Sequence, residues 1–229
     1  MINDYRYEIK FVLNQREIAH ALSWLNVIGA KKVFSDRKVN SLYFDNVDQQ
    51  ALRDNLAGIT HRSKIRLRWY GDNFSDTMKP NLEIKVRENH FNYKIIYPIT
   101  TTLKELKKKN LHLLSKEIFQ EIYSSKFTHH SINDYLVPMI LINYNREYYN
   151  ISKVLRITID KHIRFFNAAQ NSKIESLQPI SYNYNIMEIK FPINSKNFVS
   201  EMIKPLCLTR KRHSKYLAGL SMLGYAKYI

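Results

Sequence analysis

Charged and apolar residues alternate with a period of two along much of this chain, the pattern of strands that give one face to a core and the other to a polar environment. Residues 6–11 read Arg-Tyr-Glu-Ile-Lys-Phe, and related runs follow at 39–44, 62–70, 82–87, 93–98, 139–149, 155–165 and 184–191. About eight strands are therefore predicted, and the three runs between 62 and 98, divided by turn residues, predict an antiparallel meander. Helical spacing occurs at 15–28, where Asn14 offers an N-cap and Gly29 an end, and at 48–57 before Gly58. It recurs at 103–127, 196–203 and 214–223, whereas 167–181 reads as a loop. No repeat, low-complexity tract or linker interrupts the series, which predicts one domain over residues 1–229.

Residues two apart on a strand share a face. One set of faces collects Arg6, Glu8 and Lys10; Arg62, Lys64, Arg66 and Arg68; Glu83, Lys85 and Arg87; Tyr144 and Arg146; Arg156, Thr158 and Asp160; and Glu188 with Lys190. The opposite set is oily: Tyr7, Ile9 and Phe11; Ile65, Leu67 and Trp69; Leu82, Ile84 and Val86; Leu155, Ile157 and Ile159; Met187 and Ile189. A single such strand would belong to an ordinary sheet with one face in water. Many of them together, with amphipathic helices available to cover the oily side, predict an α+β fold. Helices can cover the oily face from outside, and if the antiparallel sheet closes on itself into a β-barrel, the ionic face becomes the lining of a tunnel. Glu8, Glu83, Asp160 and Glu188 are too few to neutralise the bases of that lining, so an extended polyanion is expected to do so.

Composition agrees. The 229 residues, 45% of them hydrophobic, can bury a sizeable core, while a formal net charge of +16 and a pI near 9.8 exceed what solubility requires. The partner is expected to be anionic: nucleic acid, membrane lipid or free polyphosphate. Nothing after Met1 reads as a signal peptide, and no apolar run of about 18 residues could span a bilayer. The lone Cys207 excludes an intrachain disulfide and a cysteine zinc site, so a cytoplasmic location is expected. Arginine's planar fork suits paired hydrogen bonds to phosphate oxygens, and lysine serves as a point charge. A carboxylate among bases is ordinarily a salt-bridge partner; Glu188 is the one selected as ligand for a divalent ion bridging phosphate oxygens. Elsewhere Lys107 to Lys109 read as a solvated helix face, His129 and His130 as loop surface, Trp24 as core and Cys207 as buried filler.

Seven segments taken in order carry a resemblance: Arg-Tyr-Glu-Ile-Lys (6–10), Ser-Leu-Tyr-Phe-Asp-Asn (41–46), Lys-Ile-Arg-Leu-Arg-Trp-Tyr (64–70), Leu-Glu-Ile-Lys (82–85), Tyr-Asn-Arg (144–146), Met-Glu-Ile-Lys (187–190) and Ser-Lys-Tyr (214–216). Together they resemble the VTC domain, a branch of the triphosphate tunnel superfamily named after the vacuolar transporter chaperone complex, whose catalytic domain makes polyphosphate from ATP. The resemblance implies an eight-stranded tunnel and transfer of the ATP γ-phosphate to a growing phosphate chain, supported by Mn2+ or Mg2+. It implies that Lys10, Arg66, Arg68, Lys85, Tyr144, Arg146 and Arg156 are phosphate ligands and that Glu188 is similar to the family's metal-binding glutamate. Arg212 and Lys215 stand where the family has two lysines three apart. Lys94 is a looser match, because the spacing after Lys85 is shorter here. Lys64, Arg87 and Lys190 join the substrate-binding set from the ionic faces. Many hydrolysing tunnel enzymes begin Glu-x-Glu-x-Lys, the two glutamates serving metal binding; here Arg6 replaces the first and Glu8 keeps the second, which favours gripping phosphate over a two-carboxylate hydrolytic centre.

The reading that follows is a polyphosphate polymerase using in-line phosphoryl transfer, with Arg66, Arg68, Lys85, Arg146 and Arg156 stabilising charge and no side-chain nucleophile or general base. ATP and inorganic polyphosphate are the expected ligands. A triphosphatase and a non-catalytic sensor of polyphosphate or inositol polyphosphate are the alternatives, and single-stranded nucleic acid stacking on the 27 Phe and Tyr residues ranks last. A membrane-protein partner, as in the eukaryotic complex, fits the resemblance, and no oligomeric state is encoded in these patterns.

Overall fold

The computed structural model of the chain describes residues 6–72, 74, 77–89, 91–124, 132, 135–151, 155–170 and 172–227. In order these form β1 (Arg6–Leu13), α1 (Gln15–Val27), β2 (Lys31–Lys32), β3 (Arg37–Asn46), α2 (Gln50–Leu56), β4 (His61–Tyr70), β5 (Asn81–Glu88) and β6 (Phe91–Tyr97). They continue with α3 (Leu103–Lys108), α4 (Leu111–Tyr123), β7 (Leu136–Ile151), β8 (Leu155–Asn167), β9 (Pro179–Ser181), β10 (Asn185–Pro192), α5 (Lys196–Met202) and α6 (Lys215–Met222).

Local chemistry explains the boundaries. Asn14 accepts from the Arg16 and Glu17 amides while Glu17 reaches back to the Asn14 amide, a capping box that starts α1. The helical stretch predicted over 103–127 is two helices. Lys109 and Asn110 have extended backbone, and the Asn110 side chain accepts from the His112 and Leu113 amides to begin α4. Residues 125–127, like His129 and His130, lie outside the described residues. The loop predicted at 167–181 contains β9 and a short 3-10 turn, Ile174–Ser176.

The strands pair in the order β1-β10-β8-β7-β3-β4-β5-β6, with β2 on β7 and β9 on β8. This is an open path, and it corrects the expected closed eight-stranded barrel. Among the described residues β1 and β6 each pair with one neighbour in that order, and each carries one lysine, the residue type that commonly blunts sheet edges. The ten strands exceed the predicted eight because β2 and β9, of two and three residues, are too short to show a period.

The chain divides into two compact units. The first comprises Met1–Lys38, Tyr144–Ile163 and Ser181–His213; the second comprises Val39–Asn143, Arg164–Ile180 and Ser214–Ile229. In the first, α1 and α5 cover the oily face of β1, β10 and β8, burying Phe11, Trp24, Leu25, Ile157, Met187, Ile189 and Val199 in one cluster. Trp24 is core, as its spacing predicted, and its indole N–H donates to the Met202 carbonyl at 3.1 Å. In the second unit α3 and α4 cover the oily face of β3, β4 and β5, and Phe44, Leu67, Trp69, Leu82, Ile84, Leu114, Ile118 and Phe119 form its core. The opposite, ionic faces are thereby left to carry the chemistry.

The expectation that all helices lie on the oily side is corrected in the second unit. Tyr216 of α6 packs its ring 5.1 Å from Tyr43, on the face that also carries Arg66, and Gly219 approaches Ile140 and Phe165 so closely that a Cβ would collide with both. Small residues on α6 permit that contact, and polar residues at its N-terminus meet the ionic face.

Candidate functional site

In the second unit, neighbouring strands place like charges directly opposite one another. Lys64 faces Lys85, which faces Lys94, so three lysines form one row across β4, β5 and β6; Arg62 faces Arg87 in the next. Such pairing opposes folding unless an anion shares the row. The following row is different: Tyr43, Arg66 and Glu83 lie side by side on β3, β4 and β5. Arg66 donates from Nε and an Nη to Glu83 Oε2 at 2.9 and 2.7 Å, and from its other Nη to the Tyr43 hydroxyl at 2.9 Å. Lys94 adds a bond to Glu83 Oε1 at 3.2 Å, with Arg68 3.8 Å from Oε2. Glu83 is thus the hub that holds three bases. Burial pushes its carboxyl up, but Arg66 and Arg68 outweigh that and hold it below the usual range. Burial likewise raises the Tyr43 phenol, while Arg66, Arg68 and Lys215 bring it below its ordinary value.

Lys64 is held from α6. Its Nζ donates to Ser214 Oγ at 3.1 Å and lies 5.5 Å from the Tyr216 ring centroid. Ser214 caps α6, and Tyr216 donates to Asp45 at 2.9 Å. Asp45 also accepts from the Asn46, Ala51 and Leu52 amides, so one buried carboxylate ties β3, the start of α2 and α6 together.

The first unit carries a balanced face. Glu8 lies opposite Lys190 and Lys10 opposite Glu188, giving a checkerboard across β1 and β10 that continues to Arg156 and Thr158 on β8. Lys10 sits 2.6 Å from Glu8 and 3.8 Å from Glu188; Lys190 sits 2.7 Å from Glu188 and 3.3 Å from Glu8. Burial and the charge of Glu8 push the Glu188 carboxyl up, and the two lysines together hold it below its ordinary value. Arg146 forms a two-pronged bond to the fully buried Asp160, 2.6 and 2.8 Å, and stacks over Tyr144. Burial works against its charge, but Asp160 more than compensates, so Arg146 stays protonated well above its ordinary range.

Glu8 and Glu188 supply two carboxylates from adjacent strands. Among the described residues no group of three or more His, Cys, Asp or Glu side chains could hold a metal. The pair therefore fits a hard divalent ion that completes its shell with water and phosphate oxygens, and does not fit an all-protein cage.

Fifteen residues were singled out from sequence. The second unit gathers Arg66, Arg68, Lys64, Lys85 and Lys94 on one face, with Lys215 at the start of α6; Arg87 shares that face, but its Nε turns to the Asn89 carbonyl. The first unit gathers Lys10, Lys190, Glu8, Glu188, Arg146 and Tyr144, while Arg156 and Arg212 are exposed. Tyr43, Asp45, Ser214 and Tyr216 were not assigned roles, although they sit within the 41–46 and 214–216 segments; their hydrogen bonds join those two segments, which no spacing rule could reveal. Cys207 is exposed, which corrects its reading as buried filler: it follows a 3-10 turn with φ +48° at the surface.

Solved structures share this fold of an antiparallel sheet with helices against it. HpAC1 from Hippeastrum, whose description gives it a dominant triphosphatase activity, is similar at a TM-score of 0.54 and 15% identity over 95% of this chain and 96% of that one. The PH1819 protein of Pyrococcus horikoshii OT3 is similar at 0.51 and 9% identity, over 95% and 98%. A conserved hypothetical protein of Pyrococcus furiosus is similar at 0.50 and 16% identity, over 94% and 99%. The chain belongs to the VTC domain family, whose model matches residues 5–224. No curated protein matches it. Among the described residues no helix is long and apolar enough to cross a membrane.

Proposed function

We propose that this chain is a phosphotransferase that moves the γ-phosphoryl group of ATP to the end of an inorganic polyphosphate chain. The observation that carries this reading is the Lys64-Lys85-Lys94 row beside the facing Arg62 and Arg87. A repeating polyanion is the ligand that relieves such a row along its length. An oxygen of the terminal phosphate attacks the γ-phosphorus, the bond from that phosphorus to the β-bridging oxygen breaks, and ADP leaves with the electron pair. The attacking oxygen is already ionised, so no base is required. Arg66, held by Glu83 and Tyr43, and Arg146, held by Asp160, are fixed before substrate arrives and lose little freedom on binding it. Arg68, Lys85 and Arg156 complete the charge-stabilising set. Lys10, Lys64, Arg87, Lys94, Tyr144, Lys190, Arg212 and Lys215 serve as further phosphate contacts. Glu188 with Glu8 would hold Mn2+ or Mg2+, whose chemistry is neutralisation of charge on the bridged phosphate oxygens.

Family membership supports this reading, and so does Arg6 in the position where hydrolysing tunnel enzymes carry a glutamate. A triphosphatase, which passes the same phosphoryl group to water, is the second reading and is favoured by the description of HpAC1. Purified protein incubated with ATP and Mn2+ separates the two. Long phosphate chains on a gel, lost in Arg66→Ala/Arg68→Ala, establish the transferase; free phosphate without chains establishes the hydrolase. Chains made equally by the double variant would overturn the assignment of this face.

A further inference from the structure

Among the described residues two side-chain hydroxyls are buried on the ionic faces without a hydrogen-bond partner: Thr158 Oγ1 in the first unit and Ser41 Oγ in the second. Their residues are 6% and 1% exposed. A buried hydroxyl that bonds to nothing costs free energy in the folded protein, and valine or alanine would fill the same space without that cost. Each such group calls for an explanation, and a ligand that supplies the missing acceptor is one. The positions are informative. Thr158 lies opposite Glu188 in the β8–β10 register and two residues before Asp160, the anchor of Arg146; Ser41 lies opposite Arg68 in the β3–β4 register. Each unmet donor therefore sits at the foot of a group already placed in the phosphate machinery.

We propose that Thr158 and Ser41 are phosphate ligands, each hydroxyl donating to a non-bridging oxygen of a phosphate chain bound on the ionic face of its own unit. The inference rests on the phosphate-handling reading above and adds to it a neutral, short-reach class of contact. The lysines and arginines of these faces are long and follow an anion over several ångströms. A hydroxyl on Cβ cannot, so it fixes how deep a phosphate sits, and it adds no charge to rows that already repel one another.

The test uses the full chain, inorganic tripolyphosphate as probe, calorimetric titration with and without Mg2+, and thermal melts of the ligand-free protein. Thr158→Val keeps the shape of the side chain and removes its donor, Thr158→Ser restores the donor, and Ser41→Ala removes the other. Without ligand, Thr158→Val and Ser41→Ala should melt at or above the wild-type temperature. Each should bind tripolyphosphate about tenfold or more weakly, as loss of a bond to a charged group predicts, and Thr158→Ser should recover the affinity. Wild-type affinity in either variant overturns the assignment for that residue. A lowered ligand-free melting temperature with an affinity loss that Thr158→Ser does not recover assigns Thr158 to structure and overturns the proposal. A wild-type protein that does not bind tripolyphosphate defeats the parent reading as well, whereas wild-type binding matched by both variants defeats this inference alone.

Discussion

Glu83→Gln tests the electrostatic logic of the second unit at its most loaded point. The β4–β6 face carries Arg62, Lys64, Arg66, Arg68, Lys85, Arg87 and Lys94, and three of these, Arg66, Arg68 and Lys94, converge on Glu83. Glu83 has a 5% exposed side chain and Arg66 one that is 19% exposed, so their pair is largely out of water. Removing one partner of a buried pair costs roughly 3–5 kcal/mol. Glutamine keeps an oxygen to accept from Arg66, which places the cost near about 3 kcal/mol. Lys94, 47% exposed, and Arg68 at 3.8 Å add less than about 1 kcal/mol. At about 2–4 °C per kcal/mol for a chain of this size, Tm at pH 7 and low salt should fall by roughly 6–12 °C. Tripolyphosphate should return much of that loss, because it supplies the missing negative charge. Acid should close the gap from the other side. The Glu83 pKa is depressed, so its contribution is complete above the ordinary glutamate value of 4.5 and disappears as pH falls through the lower folded value. Differential scanning calorimetry from pH 3 to 7 reads all three effects. A variant as stable as wild type at pH 7, or a gap that persists undiminished at pH 3, would refute the reasoning.

Lys85→Ala, which removes the centre of the lysine row, should weaken tripolyphosphate binding and flatten its dependence on salt; unchanged affinity and salt dependence would contradict this. Tyr216→Phe should cost about 1–3 kcal/mol in denaturant unfolding, because it deletes the hydrogen bond to buried Asp45. A loss below about 0.5 kcal/mol would mean that α6 is held by packing alone. Native protein should give one equivalent of rapid reaction at Cys207 with a thiol reagent, and a thiol that reacts only after unfolding would contradict its exposed position.

Strand faces were legible in the sequence because period two is a local property. Ile65, Leu67 and Trp69 are buried and Lys64, Arg66 and Arg68 share the other face, as their alternation requires. Helix ends were legible where a cap announces them, at Asn14 and Gly29, and illegible where the cap falls inside an apolar period, so Asn110 passed for an interior position between two amphipathic runs. Pairing between distant strands leaves no trace in spacing. Closure was inferred from chemistry, and the open pairing order overruled it. The same limit explains the site. Arg66 and Glu83 could be placed on neighbouring faces, but Tyr43 and Tyr216 look like aromatic filler until the fold brings Tyr43 to Arg66 and Tyr216 to Asp45.

The two ionic faces differ in a way that the net charge of the chain conceals. In the first unit Lys10 and Lys190 sit beside Glu8 and Glu188, and Arg146 sits beside Asp160. In the second, Arg66, Arg68 and Lys94 share Glu83. A face of the first kind is stable without ligand, and exchange of a lysine for a divalent ion beside Glu188 changes its charge only modestly. Among the described residues the second face is the more basic of the two, so a bound anion gains more there. The carboxylates suited to a cation and the bases suited to a polyanion thus fall on different strands.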